Sequence, residues 1–231
     1  MLTTVVFDAD EAVIDLRPAV TGALAAVLGE MRRITAAAST VTLDELESDW
    51  DGVFGDRAAE PVLLLRRAAL ARSLARAGPD SQLDRFADLF FARRFALSHP
   101  FADVLPALAR LGRRYRVGFA SNGTSRAERC ALPGGFAFEV YSHVDGVPKK
   151  PAAGFFTAVR EAAGGVPAGA IVHVGDSFAH DVVDAQEAGM RTVWLNRPGH
   201  RRPSGPAPDA EIRSLDELPS VIDCLAAASG W

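Results

Sequence analysis

Residues 3–15 read TTVVFDADEAVID. Thr4, Val5, Val6 and Phe7 are of strand-forming type and run directly into Asp8 and Asp10, two acids one residue apart. A short apolar run closed by acids reads as a buried parallel strand whose carboxyl end opens into a crevice. In open α/β sheets that crevice is where ligands bind. Two carboxylates placed there can hold a hard cation such as Mg2+, which takes oxygen ligands. One of them can also attack a phosphorus centre. An isolated Asp-x-Asp reads more readily as a solvated turn, so the decision falls to the rest of the chain.

Downstream of Asp15 the apolar spacing changes from strand to helix. Val20, Leu24, Val27, Leu28 and Met31 recur near a period of 3.6, predicting a helix over 16–33. Thr42 with Glu45 is a capping-box signature for a short helix from Leu43 to about Trp50. Pro61 suits the first turn of a helix reaching about Gly78, and 82 to about 97 predicts another. No strand interrupts 17–99. Its acids gather over 44–51 and its arginines over 57–94 in near balance, which reads as a solvated surface.

From Pro100 strands and helices alternate. Strands are predicted over 115–120, 138–141, 170–174 and 191–195. Helices are predicted over 103–112, 124–131, from Pro151 to near Gly164, through Val182 and Ala185 to Gly189, and last from the Ser214/Glu217 cap to about Ala227. Residues 196–209, rich in Pro and Gly, read as a loop. The expectation is an α/β fold, a doubly wound parallel sheet with an inserted all-helical domain. The core would comprise 1–16 and 100–231, and the helical insert 17–99.

Composition narrows the partners. The 231 residues are 48% hydrophobic and 23% charged, as in ordinary globular proteins. A net charge of -4 argues against nucleic acid, and no apolar run approaches the ~20 residues that span a bilayer. Cys130 and Cys224 fit neither a disulfide framework nor a metal-ligand spacing. With no leader read before Thr3, the expected location is cytoplasmic. Of the 25 basic residues 23 are Arg, and the only lysines are Lys149 and Lys150.

Polar groups sit at four strand ends: Asp8 and Asp10; Ser121 and Asn122; Lys149 and Lys150; Asp176 and Asp181. Singly, each has a plain reading as a helix cap, an exposed basic loop or a surface acid. Jointly, and in this order, they can converge, because the carboxyl ends of parallel strands share one edge.

The segments VVFDADEAVID, GFASNG, KKPAAGFF and IVHVGDSFAHD resemble the four motifs of the haloacid dehalogenase superfamily. The helical insert is similar to that superfamily's first class of cap domain, and AGMRTVWLNRPG resembles its phosphatase branch. The resemblance implies a Mg2+-dependent phosphatase acting on a small phosphorylated metabolite through an aspartyl-phosphate. Asp8 would be the nucleophile and Asp10 the general acid–base. Ser121 and Asn122, with the N-terminus of the following helix, would bind phosphoryl oxygens. Lys150 would neutralise the same oxygens, with Lys149 an exposed bystander. Asp8, the Asp10 carbonyl and Asp176 would hold Mg2+, with Asp181 behind them orienting Lys150 or a metal-bound water.

Where the superfamily's phosphatases commonly carry Gly and then Thr or Val after Asp-x-Asp, this chain has Glu11 and Ala12. The superfamily's Gly tolerates unusual backbone angles, and its Thr hydroxyl can support the second aspartate. Three alternatives stay open at this level: a 2-haloacid dehalogenase, a phosphoglucomutase, and a non-catalytic binding protein with a degenerate site. Arg17, Trp50, Arg57 and Trp194 read either as approaching a leaving group or as packing and surface. The oligomeric state stays open between monomer and homodimer.

Overall fold

A computed structural model describes residues 1–77, 80–132 and 134–228. The chain divides into two compact units, one made of 1–14 with 100–231 and one made of 15–99. Each is built differently.

The first unit is a six-stranded sheet, parallel throughout. β1 (Thr4–Asp8) is central; β4 (Arg116–Ser121) and then β5 (Phe138–Tyr141) lie on one side, and β6 (Ile171–Gly175), β7 (Arg191–Leu195) and β8 (Ala210–Ile212) on the other. All five residues of β1 are buried, as a strand covered on both faces requires. The chain builds outward from β1 to β5, then returns to the other side of β1 to lay down β6. That reversal puts a topological switch point beside β1. The register sets Asp8 opposite Ala120, so Asp8, Ser121 and the residue after Gly175 come to the same edge. The short strands β2 (Ile14–Asp15) and β3 (His99–Pro100) pair separately where the chain passes between the units.

Helices of this unit are α5 (Val104–Leu111), α6 (Ala153–Ala162), α7 (Asp184–Glu187) and α8 (Leu218–Ala228). Phe155, Phe156 and Val159 of α6 pack with Val6, Ala120 and Ile171 of the sheet. The fold class is the expected doubly wound one, but several local readings differ. No helix follows Ser-Asn-Gly; the chain makes only a 3-10 turn, Ala127–Cys130, closed by Ala131 in the left-handed region. Pro151 does not open α6, which begins two residues later, and the Lys150–Pro151 peptide is cis. The segment after Asp176 starts as a π turn, Phe178–Val183, before becoming α7. Glu217 accepts from the N–H groups of Arg213 and Ser214, so the expected cap forms a turn just ahead of α8. β8 was hidden in the sequence because three residues around a central Glu give no usable period.

The second unit holds α1 (Leu16–Ile34), α2 (Leu43–Arg57), α3 (Val62–Ala77) and α4 (Leu83–Leu97). α1 buries Ala23, Leu24, Val27, Leu28 and Met31 against Leu70, Leu74, Phe86 and Phe90. α2 carries the expected capping box, with Thr42 and Glu45 bonding reciprocally, but runs a full seven residues beyond Trp50. The end expected for α3 at Gly78 lies outside the described residues. The acids of α2 are not all solvated: Asp49, 1% exposed, accepts from Ser73 Oγ at 2.9 Å and from Arg76 Nη2 at 2.6 Å.

The cap of α2 is a local and measurable quantity. Thr42→Ala removes one side of the box and is expected to lower stability by about 1 kcal/mol. Urea unfolding followed by circular dichroism checks it, and an unchanged midpoint would refute the assignment.

Candidate active site

At the shared strand edge one cation is buried among acids. Lys150 Nζ lies 2.6 Å from Asp8 Oδ1 and 2.6 Å from Asp181 Oδ1. Lys150 is 3%, Asp8 8% and Asp181 1% exposed. Asp181 is saturated: Oδ1 also meets His173 Nε2 at 3.0 Å, and Oδ2 accepts the Ser177 N–H at 3.0 Å. Gly175 makes this approach possible, since any Cβ there would collide with the Asp181 carboxylate.

The loop after β4 places the lysine. Asn122 grips the Lys150 main chain from both ends of its amide: Oδ1 accepts the Lys150 N–H at 2.7 Å, and Nδ2 donates to the carbonyl at 3.3 Å. Asn122 is thereby engaged in holding Lys150. Buried Ser121 accepts the Gly123 N–H at 3.0 Å, which tightens the turn. The Asp10 carboxylate accepts from Ser125 Oγ. A methyl group at Gly123 would strike that carboxylate. Glu11 occupies the left-handed region, φ 62°, the conformation for which the usual Gly is suited. Asp176 sits at the end of β6, its carbonyl accepting Trp194 Nε1 at 2.8 Å.

Oxygens of Asp8, Asp176 and Asp181 lie within 4.8 Å of one another, a donor set suited to a hard cation. The cluster therefore contains Asp181 beside the two acids expected, and not the Asp10 carboxylate. Ser125 and His173 went unread. Their signals were a second hydroxyl shortly after Ser-Asn-Gly, and a lone polar residue inside the apolar run IVHVG. Lys149 is half-buried rather than exposed, and burial lowers its pKa. Trp194, 4% exposed, packs edge-on to Phe178, and Arg57 pairs with Glu60, so both follow the packing or surface reading.

Electrostatics follow from crowding. Burial pushes the Asp8 carboxyl well up, against the pull of Lys150, and the carboxylates of Asp181 and Asp176 push the same way. Asp181 moves down: Lys150 and His173 outweigh its burial. Lys150 is held protonated because two carboxylates more than offset its burial. Burial and then the charges of Asp181 and Glu11 raise Asp176 to about 7.

Residues 2–189 match the family described as haloacid dehalogenase-like hydrolase, and the chain belongs to that family. It is 30% identical over 128 residues to pyrimidine 5'-nucleotidase YjjG of Escherichia coli (strain K12), covering 53% of this chain and 56% of that one. It is 31% identical over 143 residues to glyceraldehyde 3-phosphate phosphatase of Methanopyrus kandleri, covering 58% and 60% respectively. The chain thus matches about half of the length of these curated relatives. Among solved structures, 2-haloacid dehalogenase of Pseudomonas syringae pv. Tomato DC3000 superposes with a TM-score of 0.79 at 30% identity, covering 97% of this chain and 99% of that one. No described helix is long and apolar enough to cross a membrane.

A carboxyl group with a higher pKa folded than unfolded favours the fold most at low pH. The contribution of Asp176 is fully present below its ordinary 3.8 and is lost as pH rises through about 7. Asp181, shifted down, is ionised in both states across that window and adds no slope. Asp8, raised likewise, adds to this slope, and buried His173, its pKa lowered, opposes it, so the difference isolates Asp176. From about pH 5 to about pH 7.5 the melting temperature of the metal-free wild type should fall relative to that of Asp176→Asn. Scanning calorimetry over this range checks it; equal slopes in both proteins would contradict the assignment.

Proposed function

We propose that this hydrolase is a Mg2+-dependent phosphatase of small phosphate esters. The observation that carries the reading is the buried Lys150 ammonium shared by Asp8 and Asp181, with the Asp176 carboxylate beside them. The names of the nucleotidase and the phosphatase among its relatives point the same way. In this reading 17–99 is the cap domain and 1–16 with 100–231 the core. The oxygen donors of Asp8 and Asp176, with the Asp10 carbonyl, would hold Mg2+, because the oxygens of Asp181 are already committed. When bound, the cation supplies charge that draws an anionic phosphoryl group to an anionic nucleophile.

The protein's own groups then divide the work. An Asp8 carboxylate oxygen attacks phosphorus; the bond to the ester oxygen breaks, and that oxygen takes the proton of the Asp10 carboxyl. A water then attacks the aspartyl-phosphate, gives its proton to the Asp10 carboxylate, and the bond to Asp8 breaks. Lys150 and the Ser121 hydroxyl face charge on the phosphoryl oxygens, and Asn122 sets the lysine's backbone. Ser125 orients the Asp10 carboxylate.

A second reading, 2-haloacid dehalogenation, is favoured by the Pseudomonas syringae neighbour. Asp8 would then attack carbon with no metal. Against it stands the charge: three clustered carboxylates face one lysine, and a carboxylate substrate is repelled unless a cation intervenes.

Release of inorganic phosphate from an aryl phosphate should need Mg2+ and stop with EDTA, while chloride release from 2-chloropropionate stays at background. Asp8→Asn should form no phosphoenzyme. Lys150→Arg should lose nearly as much activity as Lys150→Ala, because a planar fork cannot replace a compact ammonium between two carboxylates. Metal-independent chloride release would establish the dehalogenase instead.

A further inference from the structure

The turn that follows Asp10 is held from outside by Arg197. Within it the Val13 and Ile14 N–H groups both donate to the Ala9 carbonyl, at 3.1 and 2.9 Å, and the Glu11 N–H donates to the Ile14 carbonyl at 2.8 Å. The Ala12 carbonyl instead accepts Arg197 Nη2 at 3.0 Å. The same guanidinium clasps Asp103 with both terminal nitrogens, at 2.8 and 3.0 Å, and lies 4.0 Å from the centre of the Phe101 ring. Phe101 in turn donates its N–H to the Val13 carbonyl at 3.2 Å. Asp103 completes the node by accepting from Ser214 Oγ at 2.8 Å and the Leu215 N–H at 2.9 Å.

This node is mostly enclosed, with side-chain exposures of 19% for Arg197 and 11% for Asp103. Burial raises the Asp103 carboxyl, but Arg197, Leu215 and Ser214 outweigh it and keep the group below the ordinary range. Two successive carbonyls of the turn are therefore fastened to the segment 101–103 and, through Asp103, to 214–215. The fastening falls beside Glu11, whose left-handed backbone is uncommon for a side chain bearing a Cβ. Such a conformation persists where its surroundings over-determine it. It also falls on Ala12, whose methyl group supplies no hydrogen bond of its own to the turn.

We propose that Arg197 is a positioning residue for proton transfer at Asp10: by gripping the Ala12 carbonyl it fixes the turn that sets where the Asp10 carboxyl stands. The inference rests on the phosphatase reading, in which Asp10 serves both half-reactions and Arg197 touches no reacting atom. Displacing Asp10 has unequal consequences for different substrates. A nitrophenyl ester leaves without needing a proton, so transfer to Asp8 stays fast while hydrolysis of the aspartyl-phosphate slows. An alkyl ester needs the proton in the first half-reaction and slows there. General loosening of the site would slow both esters alike.

Wild type, Arg197→Met and Arg197→Lys are compared with Mg2+, by stopped flow on nitrophenyl phosphate and by steady-state turnover of an alkyl phosphate. Arg197→Met should show a burst of nitrophenolate equal to the active-site concentration that the wild type lacks. Its kcat on the alkyl ester should drop by about 10²-fold, the scale of a misplacement of roughly 1 Å. Arg197→Lys, which keeps a cation and one donor, should fall between. If circular dichroism shows that Arg197→Met does not fold, Arg197→Lys carries the same test. Equal losses on both esters without a burst, or unchanged kinetics, would overturn the proposal while leaving the phosphatase reading standing. A wild type that releases no phosphate from either ester would bring down that reading and the role of Arg197 with it.

Discussion

The interaction on which the site depends is the contact of one ammonium with two carboxylates out of reach of bulk water. Burying three charges is costly, and their mutual attraction offsets that cost only where geometry is close and remaining hydrogen bonds are made. Here both conditions are met. The two Nζ contacts are 2.6 Å each, Asp181 has its other contacts in His173 and the Ser177 N–H, and the lysine backbone is held by Asn122. Removing one member strands the others, a change on the order of 3–5 kcal/mol for buried pairs. The ends of β1, β4 and β6 are thus joined through a single lysine, by its ammonium and its main chain.

The arrangement leaves negative charge in excess. Asp176 lies outside the lysine's hydrogen bonds, and Glu11 adds its charge from the turn after β1. As pH rises through about 7 and Asp176 ionises, that crowding lowers the stability of the fold. Perturbed groups of this kind gather at functional sites, and in the phosphatase reading this one would take up a cation. Glu11 therefore differs from the Gly of the superfamily pattern twice over, in backbone freedom and in electrostatics.

Much of this was legible in the sequence, and for a definite reason. Buried parallel strands are short apolar runs, so Val5–Phe7 and Val172–Val174 betray themselves, and the acids that end them mark the sheet's edge. Helix spacing identified α1 and α4 because one face of each is packed. What stayed hidden depends on contacts distant in sequence. No local pattern says that Asn122 will grip the backbone 28 residues on, or that Arg197 will reach a carbonyl 185 residues back. Short elements governed by tertiary contacts, such as β8 and the 3-10 turn after Ser125, likewise escape a reading based on periodicity. Asp49 shows the opposite failure: an acid inside a charged cluster looked solvated, yet it is buried beneath three partners.

The placement of the lysines also shapes how the protein meets covalent reagents. With 23 arginines and two adjacent lysines, the side chains offer amine chemistry at one place only. Lys149 is half-buried, while Lys150 is almost wholly enclosed and kept protonated by its two acids. An acylating or reductively alkylating agent needs a neutral amine it can reach, so side-chain labelling should fall first on Lys149. Modification of Lys150 would require the triad to part, and its rate would report how often the site opens. Surface lysines, numerous in most proteins of this size, would drown that signal; here Lys149 is the only other side-chain amine.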